Sequence, residues 1–287
     1  MTRSAEFHEQ VEGADGQVVA CSLSLPDNHE QTTALPVVFI VHGFKGFKDW
    51  GFFPELARRI ANAGLAAIRL NFSHNGVGLD ADEQDFTRLD LFRRNRPSYE
   101  LSDLLTAVDA VKNNQLFAAH KLDSDRIGFL GHSRGGPISI LAGSKFEGAP
   151  VVTWASVRRL AWNPVQAEAF TNEGELRIPN ARTGQIMTLD KSAYDDITPL
   201  PTSLDVNPAL RKLGRRFLGL HGDQDQAVPL TSLDGLFEAA GQSVPEESTI
   251  AAADHVMNAR HPYQGTTPEL DQAISLSISH LRTHLVS

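Results

Sequence analysis

Ser133 stands in the run Gly131-His132-Ser133-Arg134-Gly135-Gly136, directly after Arg126-Ile127-Gly128-Phe129-Leu130. A short apolar stretch of that kind reads as a buried strand. The Pro137-Ile138-Ser139-Ile140-Leu141-Ala142 that follows is helix-like. A Gly-x-Ser-x-Gly pentapeptide between a strand and a helix makes a sharp turn that leaves the serine hydroxyl exposed beyond the sheet. Gly131 and Gly135 carry no Cβ, so strand and helix can approach closely there. A hydroxyl is a weak nucleophile at neutral pH and needs a general base. The base in turn needs a carboxylate to fix its tautomer. In this context the chain order is serine, acid, histidine.

The acid candidates are Asp223 and Asp225, both in His221-Gly222-Asp223-Gln224-Asp225-Gln226-Ala227-Val228-Pro229, directly after a strand-like run. The base candidate is His255, in Ala251-Ala252-Ala253-Asp254-His255-Val256-Met257, between the last strand-like run and the last helix. Asp254 adjoins His255 in sequence and points elsewhere. His42, His132 and His221 all lie at strand ends but upstream of the acid, so they read as braces for loops. A tetrahedral intermediate also needs N–H donors aimed at its oxyanion. The backbone N–H of Arg134, the residue after the nucleophile, is one.

These residues require elements that carry them to one place. Residues 7–12 and 17–25 read as two strands joined by an Asp-Gly turn, a β-hairpin. Strand-like runs then recur at 36–41, 65–72, 127–130, 150–156, 216–220 and 248–253. Helical patterns intervene: 53–64, stopping at a glycine; Leu101, Leu104, Leu105, Val108 and Val111; and finally Leu270, Ile274, Ile278 and Leu281. Alternating strand and helix predicts a mostly parallel twisted sheet covered on both faces. In such sheets ligands sit beyond the carboxyl ends of the strands. All of the candidate chemistry falls there. Residues 157–205, proline-rich and carrying Trp162, Phe170 and Tyr194, interrupt the alternation and are expected to form a lid or cap.

The chain has 287 residues, 41% hydrophobic and 21% charged, with a formal charge of −9. These values suit one large globular α/β domain, residues 1–287, with an insertion. The acidic balance argues against a nucleic-acid partner. The one cysteine, Cys21, cannot form an internal disulfide. No apolar leader or stretch of membrane-spanning length is visible, so a cytoplasmic protein without a membrane partner is expected. No metal-binding spacing, phosphate loop or dinucleotide fingerprint occurs, so neither metal nor cofactor is expected. Lys45 and Lys48 fit solvated charges better than partners for an acidic substrate group. Of Phe44, Phe47, Trp50, Phe52 and Phe53, some belong to the core and one or two fit the wall of an acyl pocket.

Taken together and in order, His42-Gly43-Phe44-Lys45-Gly46-Phe47, the serine turn, the aspartate loop and His255 resemble the α/β-hydrolase superfamily across almost the whole chain. The resemblance is greatest to its dienelactone-hydrolase-like and cinnamoyl-esterase-like members. Dienelactone hydrolases carry a cysteine nucleophile, so Ser133 moves the chain toward the serine esterases. The His-Gly-x-x-Asp-x-x-Val-Pro pattern puts the acid at Asp225 and leaves Asp223 to brace the loop. The His-Gly-Phe-x-Gly loop supplies the second oxyanion donor, the N–H of Phe44. The family's usual glycine before Asp-His is absent from Ala252-Ala253-Asp254-His255. The resemblance implies cleavage of small carboxylic esters through an acyl-enzyme, by Ser133, Asp225 and His255. An amidase or peptidase on the same triad and a non-catalytic binding module are the alternatives. Carbon–halogen and epoxide hydrolases of this fold need an aspartate where Ser133 stands.

Overall fold

A computed structural model describes residues 5–27, 33–80, 84–180 and 182–286. Its elements begin with β1 (Ala5–Glu12), β2 (Val18–Leu25), β3 (Leu35–Val41), α1 (Phe53–Asn62), β4 (Ala66–Asn71), α2 (Leu89–Arg93) and α3 (Pro97–Lys112). There follow β5 (Leu122–His132), α4 (Gly135–Gly143), β6 (Val151–Trp154), α5 (Pro164–Glu173), β7 (Glu175–Pro179), β8 (Ile186–Asp190) and α6 (Lys191–Asp195). The chain ends with α7 (Val206–Leu213), β9 (Phe217–Gly222), α8 (Thr231–Ala240), β10 (Thr249–Ile250) and α9 (Pro268–Leu285).

Eight strands form one sheet in the order β1-β2-β4-β3-β5-β6-β9-β10. β1 and β2 are the predicted antiparallel hairpin, with Asp15 of its turn at φ 55°, a conformation that aspartate tolerates. β2 pairs antiparallel with β4, and all the pairings from β4 to β10 are parallel. Side chains alternate across a strand. On β3, Val37, Phe39 and Val41 therefore enter one core while Val38 and Ile40 enter another. The first core is closed by α3, α4, α7 and α8, and the second by α1 and α9. That is why β3 and β4 are buried along their whole length.

From β3 the chain passes to β4 on one side and later returns as β5 on the other. That reversal is a switch point, where the loops beyond two adjacent strands part and leave a crevice. Val41 pairs with Gly131, so the loop after β3 and the turn after β5 begin side by side. His221 and Gly222 of β9 pair with Thr249 and Ile250 of β10. The loops bearing Asp225 and His255 are thereby neighbours too.

The connection from β6 to β9 holds α5, the antiparallel β7–β8 hairpin, α6 and α7. Phe170, Leu176, Met187, Leu189 and Ala193 of this segment share an apolar cluster with Phe47, Val77, Phe86 and Phe92. A carboxylate oxygen of Asp196 accepts from the Ser98 N–H at 2.9 Å, at the amino end of α3, where free N–H groups favour an anion. α7 returns to the main core through Val206 and Leu210. Among the described residues no helix is long and apolar enough to cross a membrane.

Two expectations change. The strand expected at 248–253 is only two residues long, because Ala252 takes φ 58° and the chain turns away. Lys48 is not solvated. It is buried and its ammonium pairs with Asp49, whose other oxygen accepts from Arg69 at 2.8 Å. Burial raises the Asp49 carboxyl, but Arg69 and Lys48 outweigh that and hold it below its ordinary range.

Candidate active site

Ser133 occupies a strained turn. Its φ is 55°, a left-handed conformation that costs a residue with a Cβ about 1–2 kcal/mol. The Ser133 N–H donates to the carbonyl of Trp154 at 2.9 Å, and the Ser133 carbonyl accepts from the Gly136 N–H at 3.0 Å. A Cβ on Gly131 would fall 2.2 Å from the Gly135 carbonyl oxygen. Only glycine lets the end of β5 and the start of α4 meet this closely.

The loop after β3 lies against this turn. A Cβ on Gly43 would fall 2.8 Å from the Ser133 Cβ. Phe44, the next residue, is thereby held beside Ser133. Neither its N–H nor that of Arg134 donates a hydrogen bond among the described residues. Their side chains are joined: the Arg134 guanidinium lies 4.1 Å from the centre of the Phe44 ring. Arg134 also pairs with Glu100, a side chain 3% exposed, which accepts a second hydrogen bond from Asn95 at 3.2 Å. The Phe44 ring stacks on Phe92 at 5.7 Å and meets Trp162 edge-on at 6.4 Å.

His255 Nδ1 lies 2.8 Å from Oδ2 of Asp225. A carboxylate only accepts, so Nδ1 carries the proton and Nε2 of the neutral ring is left as the basic end. The other carboxylate oxygen of Asp225 accepts from the N–H groups of Ala227 and Val228, at 2.8 and 2.9 Å. His221 Nε2 adds a further contact to Oδ2 at 3.1 Å while it bonds the Val228 carbonyl at 3.0 Å. Both neighbours of that nitrogen are acceptors, so it too is the protonated one. Burial alone would raise the Asp225 carboxyl. The hydrogen bonds from His221, His255 and Val228 reverse that and hold it far below its ordinary range. Asp223 is exposed and braces the loop, accepting from the Ala252 N–H at 2.8 Å.

The other histidines are loop braces. His132 Nε2 donates to the His255 carbonyl at 2.9 Å and fixes the backbone of that residue. Burial, with His255 nearby, pushes the His132 ring down to about 3. His42 Nδ1 bonds the Gly43 carbonyl at 2.8 Å, and burial lowers that ring to about 4. Both are therefore neutral at pH 7. Asp254 points away from the site, accepting from the N–H groups of Val256 and Asn258 at 2.9 and 2.7 Å.

Ser133, His255 and Phe44 are common to the walls of two cavities. The larger, about 390 Å³, adds Arg134, Leu160, Trp162, Ile197 and Val228. The smaller, about 170 Å³, adds Lys45, Trp50, Phe53, His132 and Val256. No hydrogen bond joins the Ser133 hydroxyl to the His255 ring in this geometry. The structure thus brings Ser133, Arg134, Phe44, His255 and Asp225 to the carboxyl ends of β3, β5, β9 and β10. The links from His221 to Asp225 and from Glu100 to Arg134 are not specified by the sequence motifs. The first had a signal, a histidine four residues before the acid at the end of a strand; the second, spanning 34 residues, had none. Among the described residues no group of three or more His, Cys, Asp or Glu side chains is placed to hold a metal ion.

The chain has the α/β-hydrolase fold. It is similar to Est1E from Butyrivibrio proteoclasticus, solved with ferulic acid bound (18% identity, TM-score 0.65, 98% of each chain covered). It is also similar to DcsB, solved in complex with a substrate analogue (12% identity, TM-score 0.71, 99% of this chain and 100% of that one). A dienelactone hydrolase from Anabaena variabilis shares the fold at 16% identity and TM-score 0.59, with 98% and 99% covered. No family model and no curated protein matches the chain.

Proposed function

We propose that the protein is a serine hydrolase that cleaves carboxylic esters through an acyl-enzyme. The observation that carries this reading is the Asp225–His255 hydrogen bond, set beside a strained serine with which His255 shares two cavities. His255 Nε2 takes the proton of Ser133 as its oxygen attacks the ester carbonyl. The N–H groups of Phe44 and Arg134 receive the oxyanion. The imidazolium then gives its proton to the departing alkoxide, and an alcohol leaves. Water, activated by the same nitrogen, attacks the acyl-enzyme; the carboxylic acid leaves and Ser133 recovers its proton. Asp225 keeps Nδ1 protonated and stabilises the imidazolium throughout. Leu160, Trp162 and Ile197 of the insertion line the larger cavity, which supports reading residues 157–205 as a lid. The esterases and hydrolases among the proteins of like fold support the same reading.

The test is hydrolysis of p-nitrophenyl esters from acetate to decanoate, with Ser133→Ala alongside. Turnover by the wild type and a loss of about 10³-fold or more in the variant are expected. A folded Ser133→Ala protein of undiminished activity would refute the assignment. The chain length of fastest turnover measures the room available to the acyl group.

A further inference from the structure

Two cavities meeting at one nucleophile correspond to the two substituents of an ester, its acyl chain and its alkoxy group. Their walls differ in how their cations are placed. Neither contains an aspartate or glutamate. In the larger cavity Arg134 is already neutralised by Glu100, and Arg159 is exposed to solvent. In the smaller one Lys45 is the permanent cation, and among the described residues no carboxylate lies within ion-pair distance of it. The buried cations elsewhere are treated differently. Lys48 is paired with Asp49, and Arg69 with Asp49 and Glu6. A half-buried ammonium left unpaired is costly, and such groups concentrate at binding sites. Burial lowers the affinity of Lys45 for its proton, with no opposing carboxylate to restore it. Lys45 also has φ 58°, between Phe44 and the Gly46 whose N–H closes the loop onto the Gly43 carbonyl at 3.0 Å. The loop that carries Phe44 thus also carries Lys45 into the wall of the smaller cavity.

We infer that the smaller cavity receives an anionic group of the substrate, so that the preferred ester carries a carboxylate that pairs with Lys45. This rests on the ester-hydrolase reading and adds the substrate's charge to it. The carboxylate can belong to either substituent. In one case the substrate is a half-ester of a dicarboxylic acid; in the other it is an acylated hydroxy acid.

Two matched pairs of esters test the inference in a pH-stat assay. Monoethyl succinate is compared with ethyl 4-methylpentanoate, and acetoxyacetate with isobutyl acetate. Each pair replaces a carboxylate by an isopropyl group of similar shape. The wild type should favour the charged member of one pair by roughly tenfold or more in kcat/KM, the worth of one charge-assisted hydrogen bond. Which pair responds identifies the substituent held in the smaller cavity. In Lys45→Met that ratio should fall to about 1, and Lys45→Arg should retain most of it. The readout is a ratio on one enzyme, so a general loss of folded protein cancels. Equal rates on both members of both pairs, or a preference that survives in Lys45→Met, would overturn the inference while leaving the hydrolase reading intact. Failure to hydrolyse any of the four esters or the p-nitrophenyl series would overturn both.

Discussion

At the scale of single residues, the site depends on a few side chains whose partners are fully specified. Asp225 has four contacts and Asp223 faces solvent. The two aspartates should therefore respond very differently to loss of charge. Asp225→Asn removes the acceptor for His255 Nδ1–H and favours the wrong tautomer, so kcat should fall by about 10⁴-fold. Asp223→Asn should retain activity within a few-fold of wild type. A reversal of that order in steady-state assays would place the acid at Asp223. Glu100 is the second such residue. Glu100→Gln leaves the Arg134 guanidinium, 12% exposed, without a counter-charge. It should lower stability by about 3 kcal/mol in urea unfolding, the usual result of removing one partner of a buried pair. The double variant Glu100→Gln/Arg134→Gln should be more stable than the sum of the single losses predicts. Strict additivity would mean that the pair is not coupled.

At the scale of elements, strand ends decide what the sequence can disclose. The Ser133 turn, the aspartate loop and the His255 loop were legible because each follows a short apolar run. The period of a strand and the residues that stop it are local signals. Helices α2, α7 and α8 gave no comparable signal, and neither did the β7–β8 hairpin, whose stability comes from docking on Phe47, Phe86 and Phe92. β10 read as a longer strand because Ala251-Ala252-Ala253 extends the apolar run, and composition does not reveal the turn at Ala252. The tie between α3 and the hairpin was equally hidden. Asp103 of α3 is buried and accepts from the Ala14 N–H at 2.7 Å and from the Ser73 N–H and hydroxyl at 2.8 and 2.7 Å. Burial pushes its carboxyl up to about 6 despite those bonds. Its unfolded value is about 4. The folded state therefore binds the proton more tightly, and the associated stability is complete below about pH 4 and lost as pH rises through about 6. Between pH 4 and 7 this one group should cost up to about 3 kcal/mol. Urea titrations across that range should show a flatter profile for Asp103→Asn than for wild type. Parallel profiles would show that Asp103 does not titrate there.

At the scale of the whole molecule, the architecture separates support from specificity. The two cores bury both faces of the sheet, and the Ser133 turn is held by backbone hydrogen bonds and by close approaches at Gly43 and Gly131. The two cavities are walled by the loop after β3 and by the 157–205 segment, which packs through an apolar cluster shared with Phe47, Val77, Phe86 and Phe92. That division explains why the proposed catalytic positions carry sequence motifs and the two cavities do not. A cavity depends on where Trp162 and Phe44 meet, which no local pattern encodes. The order of the sheet has another consequence. Its two borders are β1 and β10. β1 alternates exposed and half-buried positions and carries Glu6, His8, Glu9 and Glu12, while β10 has two residues. A charged border and a very short one are poor templates for recruiting a strand from another molecule. The native sheet should thus resist growth by strand addition from a second molecule.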